Sequence, residues 1–443
     1  MTHRDGLPRF SARSVGCSDA GQRKPRATPT ESLGKPPFRS PPRPVGVRRK
    51  ALPMGPASPA AILLPDGPRG RSLWVIITAP WYKSPAHGNS WPEVAEDARL
   101  YLRPLYPAQD GRHSTDSIEL IISAGGPPTR TRLARPELAE WAARASGAGQ
   151  ARIAALLENI DCSRPPVRGL GLEQPRIMGV VNVTPDSFSD GGKQGDPEIA
   201  IRAGQDMAAA GADIIDVGGV STRPGSSAPS EEEELARVLP VIEALARAGP
   251  IISIDTRRAR VMAAALAAGA RMINDISALS AESESLAFAA RCSAPIVLMH
   301  MQGTPETMQQ APAYSHVSLD VFDYLEQRIA ACLAAGVARE RLIVDPGIGF
   351  GKTMAHNLQI LHDMALFHGL GCPLLIGLSR KHFIARLSAG EPAAARLPGS
   401  IAGALHAVSQ GAQFLRVHDV GETSQAIKVW RAIRNYNVGQ EAN

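Results

Sequence analysis

The stretch Ile251-Ile252-Ser253-Ile254-Asp255-Thr256-Arg257, the Ala-rich run after it, and Met272-Ile273-Asn274-Asp275 decide the fold of this chain. Two short apolar runs with strand character flank a segment in which Ala, Val, Leu and Met recur at helical spacing. Each run ends in polar residues able to do chemistry. The same strand–helix rhythm continues from about residue 170 onward. Strands are expected at 177–183, 213–217, 251–254, 272–274, 296–299, 342–344, 374–377 and 414–417, with helical spacing after each. Eight such units in about 270 residues predict an α/β fold of the (β/α)8 TIM-barrel type. A doubly wound open sheet is the alternative on pattern alone.

Outside that region the chain changes character. Residues 1–70 hold 13 of the 37 prolines and 13 Lys/Arg against 4 Asp/Glu, a balance of +9. Since the whole chain is +6, the remainder is 6 − 9 = −3. The pI of 9.2 therefore belongs to the tail and gives no reason to expect nucleic-acid binding. Residues 1–70 are expected to be a disordered basic Arg/Pro-rich tail, because prolines at this density hold neither a helix nor a central strand. Those prolines oppose an amphipathic targeting helix, and Met54 offers an alternative start.

Residues 71–165 read as a small α/β appendage, with strands at 72–78 and 117–123 and a helix over 136–158. It carries no legible motif. Residues 166–443 form the barrel domain. The five cysteines (Cys17, Cys162, Cys292, Cys332, Cys372) share no C-x-x-C spacing, which points to a reduced, cytoplasmic setting. No apolar run approaches the roughly 18 residues of a membrane span, and no secretory h-region follows the basic start.

Chemistry-capable residues fall at the strand ends. The first strand leads into Asn182-Val183-Thr184-Pro185-Asp186-Ser187-Phe188-Ser189-Asp190, the second into Val220-Ser221-Thr222-Arg223-Pro224. The third and fourth end in Asp255 and Asn274-Asp275, the fifth reaches His300 and Gln302, and the sixth Asp345. The seventh runs into Ser379-Arg380-Lys381, and the eighth carries Arg416 and His418. In a parallel barrel all eight ends meet on one rim. An Asp after one strand is often only a helix cap; eight ends out of eight are not explained that way.

Asp255, Asn274, Asp345 and Lys381 supply two carboxylates, an amide and an ammonium, a set that can read the edge of a flat nitrogen heterocycle. A structural ion-pair network at the barrel mouth is the competing reading. Asn182, Thr222, Arg416 and His418 are anion-directed, and the loops after strands seven and eight are the usual phosphate position in this fold. The run Gly347-Ile348-Gly349-Phe350-Gly351-Lys352-Thr353 imitates a phosphate-binding loop, but Pro346 stands where the first glycine belongs. The histidines His300, His356, His362, His368 and His382 show no H-E-x-x-H pairing, so zinc is not expected.

Residues 176–192, 218–225, 251–256, 272–276, 297–309, 344–353, 377–381 and 415–420 resemble, in order, the motif blocks of the dihydropteroate synthase family. That resemblance implies an enzyme that condenses a dihydropterin diphosphate with p-aminobenzoate, releasing pyrophosphate, in folate biosynthesis. It implies that Asp255, Asn274, Asp345, Lys381 and Arg416 hold the pterin, and that Asn182, Thr222, Arg416 and His418 contact the pyrophosphate. It implies Mg2+ on that pyrophosphate with Asn182 as a ligand. Phe188, Pro224 and His382 would border p-aminobenzoate, while Asp190 and Arg223 support closure of two loops. No covalent nucleophile is required. A homodimer is expected, and sulfonamides would mimic the second substrate.

Two positions depart from the family pattern: Val220 replaces a Glu, and His382 replaces a Ser or Arg. Two other readings share parts of the pattern. A pterin-dependent methyltransferase barrel would keep the heterocycle site but not need Thr222, Arg223 and the Arg416/His418 pair. A non-catalytic pterin-binding regulatory paralogue would need no intact loops.

Overall fold

A computed structural model describes residues 61–63, 74–76, 98–105, 116–184, 197–220 and 229–436. Most of the expected tail, and Phe188, Asp190, Thr222, Arg223 and Pro224, lie outside the described residues. Strand β1 (Ala61–Leu63), within the stretch expected to be without structure, pairs antiparallel with β2 (Trp74–Ile76).

A three-stranded antiparallel sheet follows, of β3 (Arg99–Pro104), β4 (Ser117–Ser123) and β5 (Thr129–Ala134). After it come α1 (Arg135–Arg144) and α2 (Gly147–Asp161). The sequence predicts one helix here. It is split because Ala145 is extended and Ser146 caps α2, its side chain accepting from the Gly149 amide. Strands β3 and β5 escape the sequence reading because Arg99, Arg103, Arg130 and Arg132 interrupt their apolar pattern.

The barrel strands are β6 (Arg176–Asn182), β7 (Ile214–Gly218), β8 (Ile251–Asp255), β9 (Met272–Asp275), β10 (Ile296–Met299), β11 (Leu342–Asp345), β12 (Leu375–Ile376) and β13 (Phe414–Val417). Between them lie α3 (Pro197–Ala209), α4 (Glu231–Arg247), α5 (Ala259–Ala267), α6 (Ser283–Arg291), α7 (Val317–Ala334) and α8 (Met354–His362). The outer ring is completed by α9 (His382–Leu387), α10 (Leu397–Ser409) and α11 (Val420–Arg434). The strands are hydrogen-bonded in the order β11-β10-β9-β8-β7-β6-β13-β12, and a parallel bridge between Val344 and Leu374 closes the ring.

Strands buried on both faces read as continuous apolar runs; β7 and β9 are buried at every residue. Helix α4 shows how the outer ring is specified. Ser230 and Glu233 form a capping box, four glutamates occupy the first turn, and Val238, Val241, Ile242 and Leu245 are buried.

Inside the barrel, Met178, Ile214, Met272, Val297, Ile343, Leu375 and Phe414 form one apolar layer, joined from below by Val167 and Leu172. Each such side chain contributes about 1.5–3 kcal/mol by leaving water. The layer closes the amino-terminal end of the strands, so a binding site has only the other end to occupy.

The three-stranded sheet and α2 share one apolar core with the barrel's outer face. Leu102, Ile118, Leu156 and Ile160 pack in the same cluster as Phe322, Leu366 and Phe367. The Tyr101 ring meets Phe322 edge-on at 5.5 Å, and its hydroxyl donates to Asp323 at 2.9 Å. Arg130 grips Asp363 with both nitrogens, at 2.7 and 2.8 Å, and Arg103 donates to the His362 carbonyl at 3.0 Å. The appendage therefore covers apolar barrel surface. Among the described residues, no helix is long and apolar enough to cross a membrane.

Candidate active site

Side chains on a strand alternate between its faces, so the residues two above the apolar layer share the barrel interior. They include Asp216, Ser253, Asn274, Asp345 and Arg416, beside Val180, Met299 and Gly377. Arg416 organises the centre. Its Nε donates to Asp216 Oδ2 at 2.7 Å and its Nη2 to Asp255 Oδ2 at 2.7 Å. Asn274 Nδ2 donates to the same Asp216 oxygen at 2.9 Å. A guanidinium has five N–H groups, and those left on Nη1 and Nη2 of Arg416 have no hydrogen-bond partner among the described residues.

Asp216 is the residue that sequence reasoning missed. It is fully buried, it ties two predicted site residues together, and its Oδ1 has no hydrogen-bond partner among the described residues. By engaging Nδ2, it turns the carbonyl of Asn274 away from itself. The signal was available: a carboxylate inside Ile214-Ile215-Asp216-Val217 must find a cation when buried.

Asp345 and Lys381 form the second half. Asp345 Oδ1 accepts from the Gly347 amide at 2.7 Å. Lys381 Nζ donates to the Ile348 carbonyl and lies 4.5 Å from the centre of the Phe350 ring. Burial pushes the Asp345 carboxyl above its usual range, with Lys381 opposing. Burial also pushes the Lys381 ammonium down to about 7 against the pull of Asp345. It pushes Asp255 up to about 7 against Arg416. Groups poised near neutrality can settle as donor or acceptor when a heterocycle arrives.

The rim carries the anion-directed residues. His418 Nδ1 lies 3.1 Å from Ser379 Oγ. Burial, then Arg416, lowers its pKa to about 4, so the free site holds a neutral imidazole. Arg380 sits at φ 59°, a conformation costly for a residue with a Cβ. It is held there by its amide donating to Ser400 Oγ at 2.9 Å, by Arg396 donating to its carbonyl at 2.8 Å, and by an ion pair with Asp419. This strained turn separates Ser379, which meets His418, from Lys381, which meets the Ile348 carbonyl. Asp275, by contrast, is a cap: its oxygens accept from the Ser277 and Leu279 amides at 2.7 and 2.9 Å.

Asn182, half-buried at the end of β6, pairs in register with Gly218, and Gly218 with Asp255, so it borders the same mouth. Its amide has no hydrogen-bond partner among the described residues. A cleft of 580 Å³ runs outward from Lys381 past Phe350, Met354, His382, Phe383 and Arg386. His382 is exposed at the start of α9. Val220 lies beside the buried Glu234, whose carboxylate is taken by Thr256 at 2.5 Å and Arg258 at 2.7 Å.

A closed parallel barrel with a cluster of charged side chains at the carboxyl ends of its strands defines a class of small-molecule-binding barrel enzymes. The family model described as "Pterin binding enzyme" matches residues 178–418. Dihydropteroate synthase of Escherichia coli K12 is 49% identical over 264 residues, covering 59% of this chain and 93% of that protein. The structure of the Yersinia pestis dihydropteroate synthase with a sulfonamide drug superimposes with a TM-score of 0.59 at 45% identity, covering 61% of this chain and 99% of that one. The Xanthomonas albilineans dihydropteroate synthase in complex with 7,8-dihydropteroate gives 0.56 at 45% identity, covering 60% and 97%. The chain belongs to the pterin-binding enzyme family, in its dihydropteroate synthase branch.

Proposed function

We propose that this chain joins a 6-hydroxymethyl-dihydropterin diphosphate to p-aminobenzoate, forming 7,8-dihydropteroate and pyrophosphate. The observation that carries the reading is the cluster in which Arg416 binds Asp255 and Asp216, and through Asp216 meets Asn274, with Asp345 and Lys381 beside them. Asp255, Asn274 and Asp345 would accept from the heterocycle's N–H groups, Lys381 would donate to a ring acceptor, and Arg416 would cover the ring face.

As the C–O bond to the leaving group breaks, negative charge grows on the pyrophosphate and positive charge on the pterin methylene. Arg416, His418, Asn182 and Thr222 receive the first, and the carboxylates favour the second. As the family resemblance implies, the loops bearing Asp190 and Arg223 would close over the site, exclude water and align the aniline nitrogen, with Phe188, Pro224 and His382 bordering p-aminobenzoate. No covalent nucleophile is needed.

The donor set suits Mg2+, which keeps few protein ligands and binds mainly substrate phosphate oxygens. Asn182 offers a hard oxygen at the rim, and the described residues hold no cluster of three His, Cys, Asp or Glu that would bind a metal by themselves. When bound, Mg2+ would lend positive charge to the diphosphate. We further place the enzyme in the cytoplasm as a homodimer, whose contact face would include the exposed Val429, Ile433 and Tyr436 of the C-terminal segment.

The full chain should release pyrophosphate only with both substrates and Mg2+ present, and sulfonamides should compete with p-aminobenzoate. Asp255→Ala should lower affinity for the pterin diphosphate at least about 100-fold, read by calorimetry. Binding within twofold of the parent would overturn the heterocycle assignment. A folded chain that binds pterin without turnover would favour the regulatory reading.

A further inference from the structure

Beside Asp345 lies a buried basic group that the reaction as described does not use. Lys352 is 3% exposed. Its Nζ stands 2.9 Å from His300 Nδ1, 3.0 Å from the Phe350 carbonyl and 3.4 Å from the His300 carbonyl. His300 in turn donates its amide to the Asp345 carbonyl at 3.0 Å. The loop from Pro346 to Lys352 thus leaves β11 at Asp345, returns an amide to the Asp345 side chain through Gly347, and is pinned back on the neighbouring strand end.

The fit is close. At Gly347, with φ 69°, a Cβ would lie 1.9 Å from the His300 carbonyl oxygen, and at Gly351, with φ 61°, 2.5 Å from that of Gln302. Only glycine allows this approach. The glycine spacing that imitates a phosphate loop therefore serves backbone docking. The same loop presents the Ile348 carbonyl and the Phe350 ring to Lys381.

We propose that Lys352 is a positioning residue: as an ammonium it clasps loop 346–352 onto His300, and so sets the orientation and charge of Asp345 and the place of Lys381. The inference rests on Asp345 reading the heterocycle. Three acceptors surround Nζ, matching the three N–H groups of an ammonium, whereas a neutral amine has two. His300 can accept at Nδ1 because burial keeps its imidazole neutral, and it packs edge-on to Tyr324 at 4.9 Å.

Burial lowers the pKa of Lys352 well below its ordinary value, and Asp345 opposes that shift; the case for the ammonium is the three acceptors around Nζ. The groups facing Asp345 are Lys381, Lys352, Arg416 and the Gly347 amide. Those facing Lys352 are Asp345, Lys381 and His300, with His356, held neutral mainly by its own burial, nearby. Burial holds Tyr314 and Tyr324, which pack against His300, in their protonated forms. With Lys352 charged, Arg416, Lys381 and Lys352 supply three cations around Asp216, Asp255 and Asp345.

The test uses the full chain and steady-state kinetics across pH. Lys352→Met should raise KM for the pterin diphosphate about tenfold or more, with KM for p-aminobenzoate changed less than about threefold. Losing the cation lets Asp345 keep its proton to higher pH, so the acid limb of kcat/KM for the pterin should move up by about one pH unit. His300→Asn, whose oxygen can replace Nδ1, should lose less than His300→Leu. A parental KM and an unmoved acid limb in Lys352→Met overturn the proposal, whatever happens to its Tm. Should that variant not fold, equal losses in the two His300 variants overturn it instead, and a smaller loss in the Asn variant supports it. Asp345→Asn, run alongside, separates the two readings: if it binds pterin as tightly as the parent, the heterocycle assignment fails independently of Lys352.

Discussion

Met272 and Asn274 lie on one strand, two residues apart, and both face the barrel interior, yet the layers they join are unlike. The lower layer, which includes Met272 and Phe414, is wholly apolar and closes the barrel end. The upper layer holds Asp216, Asn274, Asp345 and Arg416, with Asp255 one step above them and joined to Arg416. The lower layer gains stability from every side chain it buries. The upper layer pays a desolvation penalty of several kcal/mol per ion, which mutual pairing offsets only while every partner is present. Identical backbone geometry thus serves stability at one level and binding at the next.

The largest break in this comparison should come from Arg416→Met. It leaves Asp216 and Asp255 buried without their cation, and should cost about 3–5 kcal/mol in denaturant titration. Activity should fall beyond detection. Adding Asp216→Leu and Asp255→Leu should restore most of the stability but none of the pterin binding. A triple variant no more stable than the single one would show that the upper layer is not strained by its charges.

Next, Phe414→Ala opens a cavity in the lower layer. It should cost about 3–5 kcal/mol while leaving both KM values within about twofold. A large KM change would mean that the two layers are mechanically coupled.

The smallest effect should be at His418. Its folded pKa near 4 lies below the ordinary 6.5, so only the unfolded chain gains this proton between those values. Stability should therefore decline as pH falls from 6.5 toward 4, and less so in His418→Gln. A bound diphosphate reverses the local preference, so pyrophosphate affinity should rise with falling pH in the parent and rise less in the variant. Calorimetry at pH 7.5 and 6 reads the difference.

The barrel was legible because strands buried on both faces must be apolar, and their eightfold alternation with helices leaves few folds. The expected strand at 296–299 coincides with β10, and the one at 342–344 stops one residue short of β11. The sheet β3–β5 was only partly legible. Arg103 and Arg130 look solvent-directed until Glu119 and Asp363, the latter 233 residues from Arg130, provide their partners. The site residues at strand ends stood out because polar side chains there contrast with the apolar strands before them. Asp216 did not, since it lies inside a strand, and Lys352 was discounted because its local motif failed as a phosphate loop.

Alternation of apolar and polar residues along the chain determined the parallel barrel, the rim that carries the chemistry and the family to which the chain belongs. These follow from local periodicity and from residue type at fixed positions. Only the tertiary structure decided that Asp216 ties Arg416 to Asn274, that Lys352 meets His300, and that the appendage shares the barrel's core. Those contacts join residues far apart in the chain, and a buried charge reveals its role only when its distant partner is in place.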